Sequence, residues 1–179
     1  MILGIDKLHQ LVKEKKLVEG LCERELNSPE GAGFDLRIGA LYQLKSGGYL
    51  GVEERESSAT ELIAEYKEGE IKTVIIPPGE HYVMKTLETV NTPPDIMILF
   101  RPRITLFRSG VTLFTGNCSP GYCGPLYFAL VNTGKHPFKL EMGARVVHAI
   151  FNKIEGSSNL YKGQWQGGRE STNGKEKQI

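Results

Sequence analysis

Cysteine is scarce and odd in number, with Cys22, Cys118 and Cys123 the only three in the chain. That count excludes a disulfide framework and suits a reducing compartment, so a cytoplasmic setting is expected. Structural zinc is not supported either. Cys118 and Cys123 sit five apart around Pro120 and Gly121, and two further ligands at matching spacing are missing. No apolar run approaches ~18 residues, and residues 1–10 have no basic stretch leading into an apolar one. Neither a membrane span nor a signal peptide is therefore expected. Charge of one sign is also lacking, because the formal net charge is only +1. A balance like that leaves no basic field for a nucleic acid polymer, yet it is compatible with a small anion gripped by a few placed arginines.

What is present is an ordinary globular composition, 40% hydrophobic and 24% charged over 179 residues, enough for one domain with its own core. Over residues 2–19, the positions Ile2, Ile5, Leu8, Leu11 and Val12 follow helical spacing. Asp6 lies early in that pattern, Lys13, Lys15 and Lys16 lie late, and Gly20 is a plausible stop. The spacing predicts one amphipathic helix in an arm of residues 1–20. From about residue 31 the texture changes to short runs rich in Val, Ile, Phe, Leu and Tyr, broken by Gly, Pro, Asn or Ser. Residues 74–76, 96–100, 111–114, 126–131 and 146–151 are such runs. This rhythm predicts a mostly β sandwich or jelly roll. Residues 53–70 are acidic, and 59–66 read as a short helical or looped insertion. One domain over 1–169 is expected, with 157–169 as a closing arm and 170–179 as a flexible tail.

Four segments carry chemical information. In the first, Asp35 stands between Phe34 and Leu36 on a strand signal, so its carboxylate needs a cation or several N–H donors. In the second, Arg101, Arg103 and Arg108 crowd eight residues, with Thr105 between the last two. Guanidinium forks suit phosphate oxygens, and a short helical turn there would add N–H groups; salt bridges at an interface are the alternative. The third, residues 115–124, is a turn-rich hairpin of small residues beside Tyr122, shaped for a flat base and a sugar, or else an ordinary hairpin. The fourth, residues 160–169, mixes Tyr161, Gln164, Trp165, glycines and Arg169 as a flap would.

Taken in order, these segments resemble the dUTPase and dCTP deaminase superfamily over residues 1–169. The carriers are GAGFDLRIG from residue 31, RPRITLFRSGVT from 101, NCSPGYCG from 117, NTGK from 132, GARVVHAIF from 143 and YKGQ from 161. The wording around the arginines lies nearest the archaeal-type dUTPases built on the deaminase scaffold. The resemblance implies a distorted β-barrel or jelly roll with a short N-terminal helix, assembled as a homotrimer, with nucleotide sites between subunits and Mg²⁺ accompanying the triphosphate. It places Arg103, Thr105, Arg108 and Gln164 on the phosphates. Gly116, Asn117, Cys118 and Ser119 would read the base, with Tyr122 under the deoxyribose. Asp35 would pair with Arg145 or order water near the metal. His148 stands where the dUTPase branch often has an amide.

The chain departs from the pattern at the two catalytic positions. The deaminase glutamate, ten residues beyond the acid of the hairpin, is here Ala129, which carries no proton. The dUTPase aspartate that activates the attacking water is here Ser119, a poor base near neutral pH. The first serine of the deaminase phosphate motif is Ile104. Three readings follow: hydrolysis of dUTP to dUMP and pyrophosphate, a catalytically silent nucleotide binder, and deamination of dCTP. Loss of the glutamate disfavours the third; a water held by Asp35, or a carboxylate of residues 53–70 from an adjoining subunit, is the substitute for the missing base in the first.

Overall fold

In the computed structural model, which describes residues 1–178, the chain opens with α1 (Ile5–Lys15), β1 (Val18–Glu19) and α2 (Glu23–Asn27). The long β2 (Phe34–Leu44) follows, then β3 (Tyr49–Leu50), β4 (Glu54–Glu56), β5 (Thr60–Glu65) and β6 (Thr73–Ile76). Next come β7 (His81–Asn91), β8 (Ile96–Pro102), α3 (Ile104–Arg108), β9 (Val111–Phe114) and β10 (Asn117–Cys118). β11 (Cys123–Asn132), β12 (Phe138–Glu141), β13 (Arg145–Lys153) and β14 (Glu176–Lys177) complete the order. The architecture is mostly β, as the sequence rhythm predicts. No helix among the described residues is long and apolar enough to cross a membrane.

One curled sheet dominates, in the order β10-β8-β13-β2-β7-β11-β9, with β1 on β7 and β5 on β2. β2 makes the corner. Its first half pairs with β13, from Phe34 opposite Ala149 to Arg37 opposite Arg145, and its second half pairs with β7 and β5. The register slips at Gly39, where a Cβ would stand 3.0 Å from the Leu87 backbone nitrogen. A side chain there would press on the β7 backbone, and the register shift marks a bulge in the sheet at this point. β7 and β11 alternate buried and half-buried positions along their length, which turns Met84, Val90, Phe128 and Leu130 into one core with Phe34, Ile98 and Phe151. Each such side chain removed from water contributes ~1.5–3 kcal/mol.

Three expectations are corrected. The first helix is shorter than residues 2–19: it stops at Lys15, and Lys16 takes a left-handed conformation with φ 52°. Leu17 and Val18 are buried instead in the sheet, where Val18 pairs with Val90. Strand pairing and burial outweigh the helical spacing there. Residues 59–66 form neither helix nor loop but the edge strand β5, whose backbone is satisfied by β2 while Leu62 and Ile63 stay exposed. The segment read as a hairpin at 115–124 has flanks that do not pair with each other. β10 joins β8, β11 joins β7, and the turn between them crosses from one side of the sheet to the other.

The last residues, expected as a flexible tail, carry β14, which pairs antiparallel with β4 (Glu176 opposite Arg55). Ile179, the end of that expected tail, lies outside the described residues.

Candidate functional site

The turn at Ser119–Tyr122 is closed by the Tyr122 N–H donating to the Ser119 carbonyl at 3.3 Å, with Gly121 at φ +80°. It forms the rim of a cavity of about 340 Å³. Gly116, Asn117, Cys118 and Ser119 line one side, Phe100, Leu126 and Phe128 supply apolar surface, and Tyr122 and Tyr161 meet edge to face at 5.5 Å. A volume of this order holds a nucleoside-sized ligand. Two of the lining side chains, Tyr122 and Cys118, are kept neutral. The Tyr122 hydroxyl donates to the Pro125 carbonyl at 2.6 Å, and burial pushes its phenol pKa upward. Burial likewise pushes the Cys118 thiol up to about 11, so it is no nucleophile near neutral pH. Ser119 Oγ accepts from the Asn117 amide at 3.4 Å, and among the described residues no carboxylate or histidine hydrogen-bonds it. Ala129 faces Val83 and Phe114 across the ladders and does not line the cavity, although its neighbours Tyr127 and Phe128 do.

The fourth wall comes from the C-terminal segment. The Tyr161 N–H donates to the Pro120 carbonyl at 2.7 Å and the Gly167 N–H to the Cys123 carbonyl at 2.9 Å. The Gln166 side chain clasps the same turn, donating to the Gly121 carbonyl at 3.0 Å and accepting from the Cys123 N–H at 3.2 Å. Trp165, Arg169 and Glu170 complete the lining, and Arg169 is its one cation. Gln164 is not in the lining, and its Oε1 is buried without a hydrogen-bond partner. Sequence reasoning singled out Gln164 in this arm. Gln166, in the same motif, is the amide that fastens the arm to the turn.

A second cleft, of about 290 Å³, is lined by Arg103, Thr105 and Arg145 with Lys139 and Glu141. Behind it lies an ionic cluster centred on Asp35, which is buried. Arg103 Nη1 donates to Asp35 Oδ2, Arg145 Nη1 donates to the same oxygen at 3.2 Å, and His148 Nδ1 lies 2.9 Å from Oδ1. Glu25, which the sequence reading did not notice, is almost fully buried beside it. Glu25 accepts from the Asp35 N–H at 2.9 Å, from Arg24 at 2.6 Å and from Arg145 at 3.2 Å. Desolvation, joined by the charge of Arg145, lowers the Arg103 pKa from its usual value, and desolvation lowers that of His148. Asp35 binds Arg103 through Nη1 only, so Nε and Nη2 have no protein partner among the described residues. Those groups remain able to take an anion.

Arg103 and Arg108 do not converge within one chain. Arg103 caps α3 and Arg108 is its last residue, so five steps of ~100° set them on different faces of the turn. Arg108 is exposed and outside the cleft. Nor do the two clefts share a lining residue: the base-and-sugar set lies in one and the phosphate set in the other.

The fold is thus a curled, mostly β sheet that bears an arginine-lined cleft and a separate turn-rimmed aromatic cavity. The model of the dCTP deaminase-like family matches residues 2–154, and the chain belongs to that family. It is 31% identical over 169 residues to a dCTP deaminase of Pyrococcus furiosus, covering 94% of this chain and 96% of that protein. It is also 32% identical over 135 residues to a probable deoxyuridine 5'-triphosphate nucleotidohydrolase of Methanothermobacter thermautotrophicus, covering 75% of this chain and 85% of that one. The same fold occurs in the crystal structure of a 2'-deoxycytidine 5'-triphosphate deaminase from Agrobacterium tumefaciens, with a TM-score of 0.64 at 16% identity. That match takes in 84% of this chain, which spans only 46% of the Agrobacterium protein.

Proposed function

We propose that this protein binds a pyrimidine deoxynucleoside triphosphate in a homotrimer and hydrolyses dUTP to dUMP and pyrophosphate. The observation that carries the reading is the separation of the two half-sites. The cavity of Ser119 and Tyr122 suits a deoxynucleoside, the cleft of Arg103 and Thr105 suits phosphates, and within one chain they do not meet. Apposing the cleft of one copy to the cavity of the next supplies both halves at once, and a closed ring of copies satisfies every site. Ile104, Phe107 and Phe114 are large and exposed around α3 and β9, and a neighbouring copy would cover them.

In this reading the apolar floor and the Gly116–Ser119 backbone take the base, and Tyr122 closes against the sugar where a ribose 2'-hydroxyl would crowd it. Arg103 and Thr105 receive phosphate oxygens, with Arg108 reaching the same polyphosphate only from another copy. Mg²⁺ travels with the triphosphate. Among the described residues no group of three His, Cys, Asp or Glu side chains stands ready to hold a metal, and Asp35 is already engaged by Arg103, Arg145 and His148. The ion's contribution is charge neutralisation on the phosphates, while this chain's residues bind, orient and exclude water.

Catalysis is the weak side of the arrangement. Among the described residues Ser119 has no base beside it, and Ala129 carries no proton and does not line the cavity, which argues against deamination and favours a slow hydrolase or a silent binder. Pyrophosphate release from dUTP with Mg²⁺, measured beside ligand-induced thermal stabilisation, separates these. Stabilisation with release supports the hydrolase. Stabilisation without release leaves the silent binder, and absence of both for dUTP, dTTP and dCTP overturns the site.

A further inference from the structure

Residues 170–178 are polar, with Gly174 the one glycine among them, a composition with no apolar face to pack. They are nonetheless docked on the β3–β4 hairpin. Thr172 is buried, its N–H donates to Ser57 Oγ at 2.8 Å, and its Oγ1 accepts from the Ser57 N–H at 3.0 Å. The Gln178 amide reaches the Gly51 carbonyl at 2.6 Å. Between this docked end and the cavity lies a cluster of four side chains. The Arg55 guanidinium carbon stands 4.7 Å from the centre of the Trp165 ring, and that of Arg169 stands 5.2 Å from the same ring. Both arginines share one carboxylate. Arg55 donates through Nε and Nη2 to Glu176 Oε1 at 2.9 and 2.8 Å, and Arg169 donates to Oε2 at 3.0 Å. The Arg55 hydrogen bonds, followed by those of Arg169, hold the Glu176 carboxyl below its ordinary pKa, so the bridge is charged at neutral pH.

We propose that Arg55 is the positioning residue of the C-terminal segment. From a hairpin outside the cavity it fixes Trp165 directly and Arg169 through Glu176, so that the wall of the cavity stands before any ligand arrives. Trp165 and Arg169 both line the cavity, and Arg55 does not. Tryptophan offers the best ring face for a cation, and it is the Arg55 fork that adds a two-nitrogen grip on Glu176. A lysine at 55 keeps the charge and loses the planar fork. The consequence for binding rests on reading the cavity as the nucleotide site. The docking of the segment does not.

Trp165 is the only tryptophan, so its emission reports the wall alone. In the whole protein without ligand, Arg55→Ala is expected to shift the docking equilibrium about tenfold toward release, the factor corresponding to ~1.4 kcal/mol. The readouts are a red-shifted emission, greater quenching by acrylamide and faster proteolytic cleavage after residue 157. Glu176→Gln gives a smaller shift in the same direction, and Arg55→Lys lies between wild type and Arg55→Ala. Emission and quenching unchanged in Arg55→Ala overturn the proposal. Titration with dUTP forms the second arm: the affinity of Arg55→Ala falls by the factor by which the docked population falls. Release of the segment with unaltered affinity removes the positioning role. If wild type binds none of dUTP, dTTP or dCTP, the reading of the cavity fails while the fluorescence arm still decides the docking.

Discussion

At Ser119 the hydroxyl lies on the cavity rim with only the Asn117 amide for company, at a position where the resemblance expects a carboxylate. A positioned general base contributes ~10²–10⁴-fold to such a reaction. Ser119→Asp is therefore expected to raise pyrophosphate release from dUTP toward that range, measured in steady state with Mg²⁺. Ala129→Glu should not, since residue 129 lies off the cavity. A second residue gives a pH signature. Burial holds the His148 pKa below its ordinary value of 6.5, against the upward pull of Glu25 and Glu30 and with Arg103 adding to the depression. A depressed pKa means the unfolded chain binds the proton more readily. Stability is then fully present above pH ~6.5 and is lost as pH falls through the lower folded value. His148→Gln should flatten thermal stability over that acidic window. An unaltered slope in the variant assigns the pH dependence to other groups, and Glu88, whose pKa burial raises, contributes with the opposite sign.

At the scale of elements, the turn at Ser119–Tyr122 joins two strands that belong to different parts of the sheet, and the C-terminal segment is laid across it. Gly121 pins this junction. Its φ of +80° disfavours any side chain, and a Cβ would come 3.0 Å from Leu160 Cβ. Gly121→Ala is expected to cost about 1–2 kcal/mol of stability and to loosen the segment over the cavity, read as a lower melting temperature with weaker nucleotide binding. The strands carrying the core were legible because alternation and turn residues mark them locally: residues 96–100, 126–131 and 146–151 fall inside β8, β11 and β13. β1 and β5 were not, because each is an accessory strand set by its partner, and Leu17, Val18, Leu62 and Ile63 fit helical spacing equally well. The Asp35 site was half legible. A carboxylate between Phe34 and Leu36 announced a buried ion pair, but Glu25 arrives from a short helix ten residues upstream that no local pattern connects to it. Trp165 and Arg169 drew notice as parts of a flap, whereas Arg55 and Glu176 are 121 residues apart and meet only once the chain is folded.

For the whole molecule, the sequence resemblance implied nucleotide sites between subunits, and the fold distributes the motifs over two clefts with no common residue. In the proposed reading a single chain offers either end of a nucleoside triphosphate and not both. Assembly would close the gap, so light scattering is expected to give the mass of three chains. The central claim, a nucleotide shared between copies, is tested most directly by mixing two defective variants. Arg103→Ala removes the phosphate half and Ser119→Trp fills the base half. Each alone should bind dUTP feebly in calorimetry with Mg²⁺. After dissociation and joint reassembly, about a quarter of the sites should again be formed from two intact halves and bind with wild-type affinity. A mixture that binds no better than its two parents, or an Arg103→Ala protein that binds dUTP as wild type does, contradicts the account.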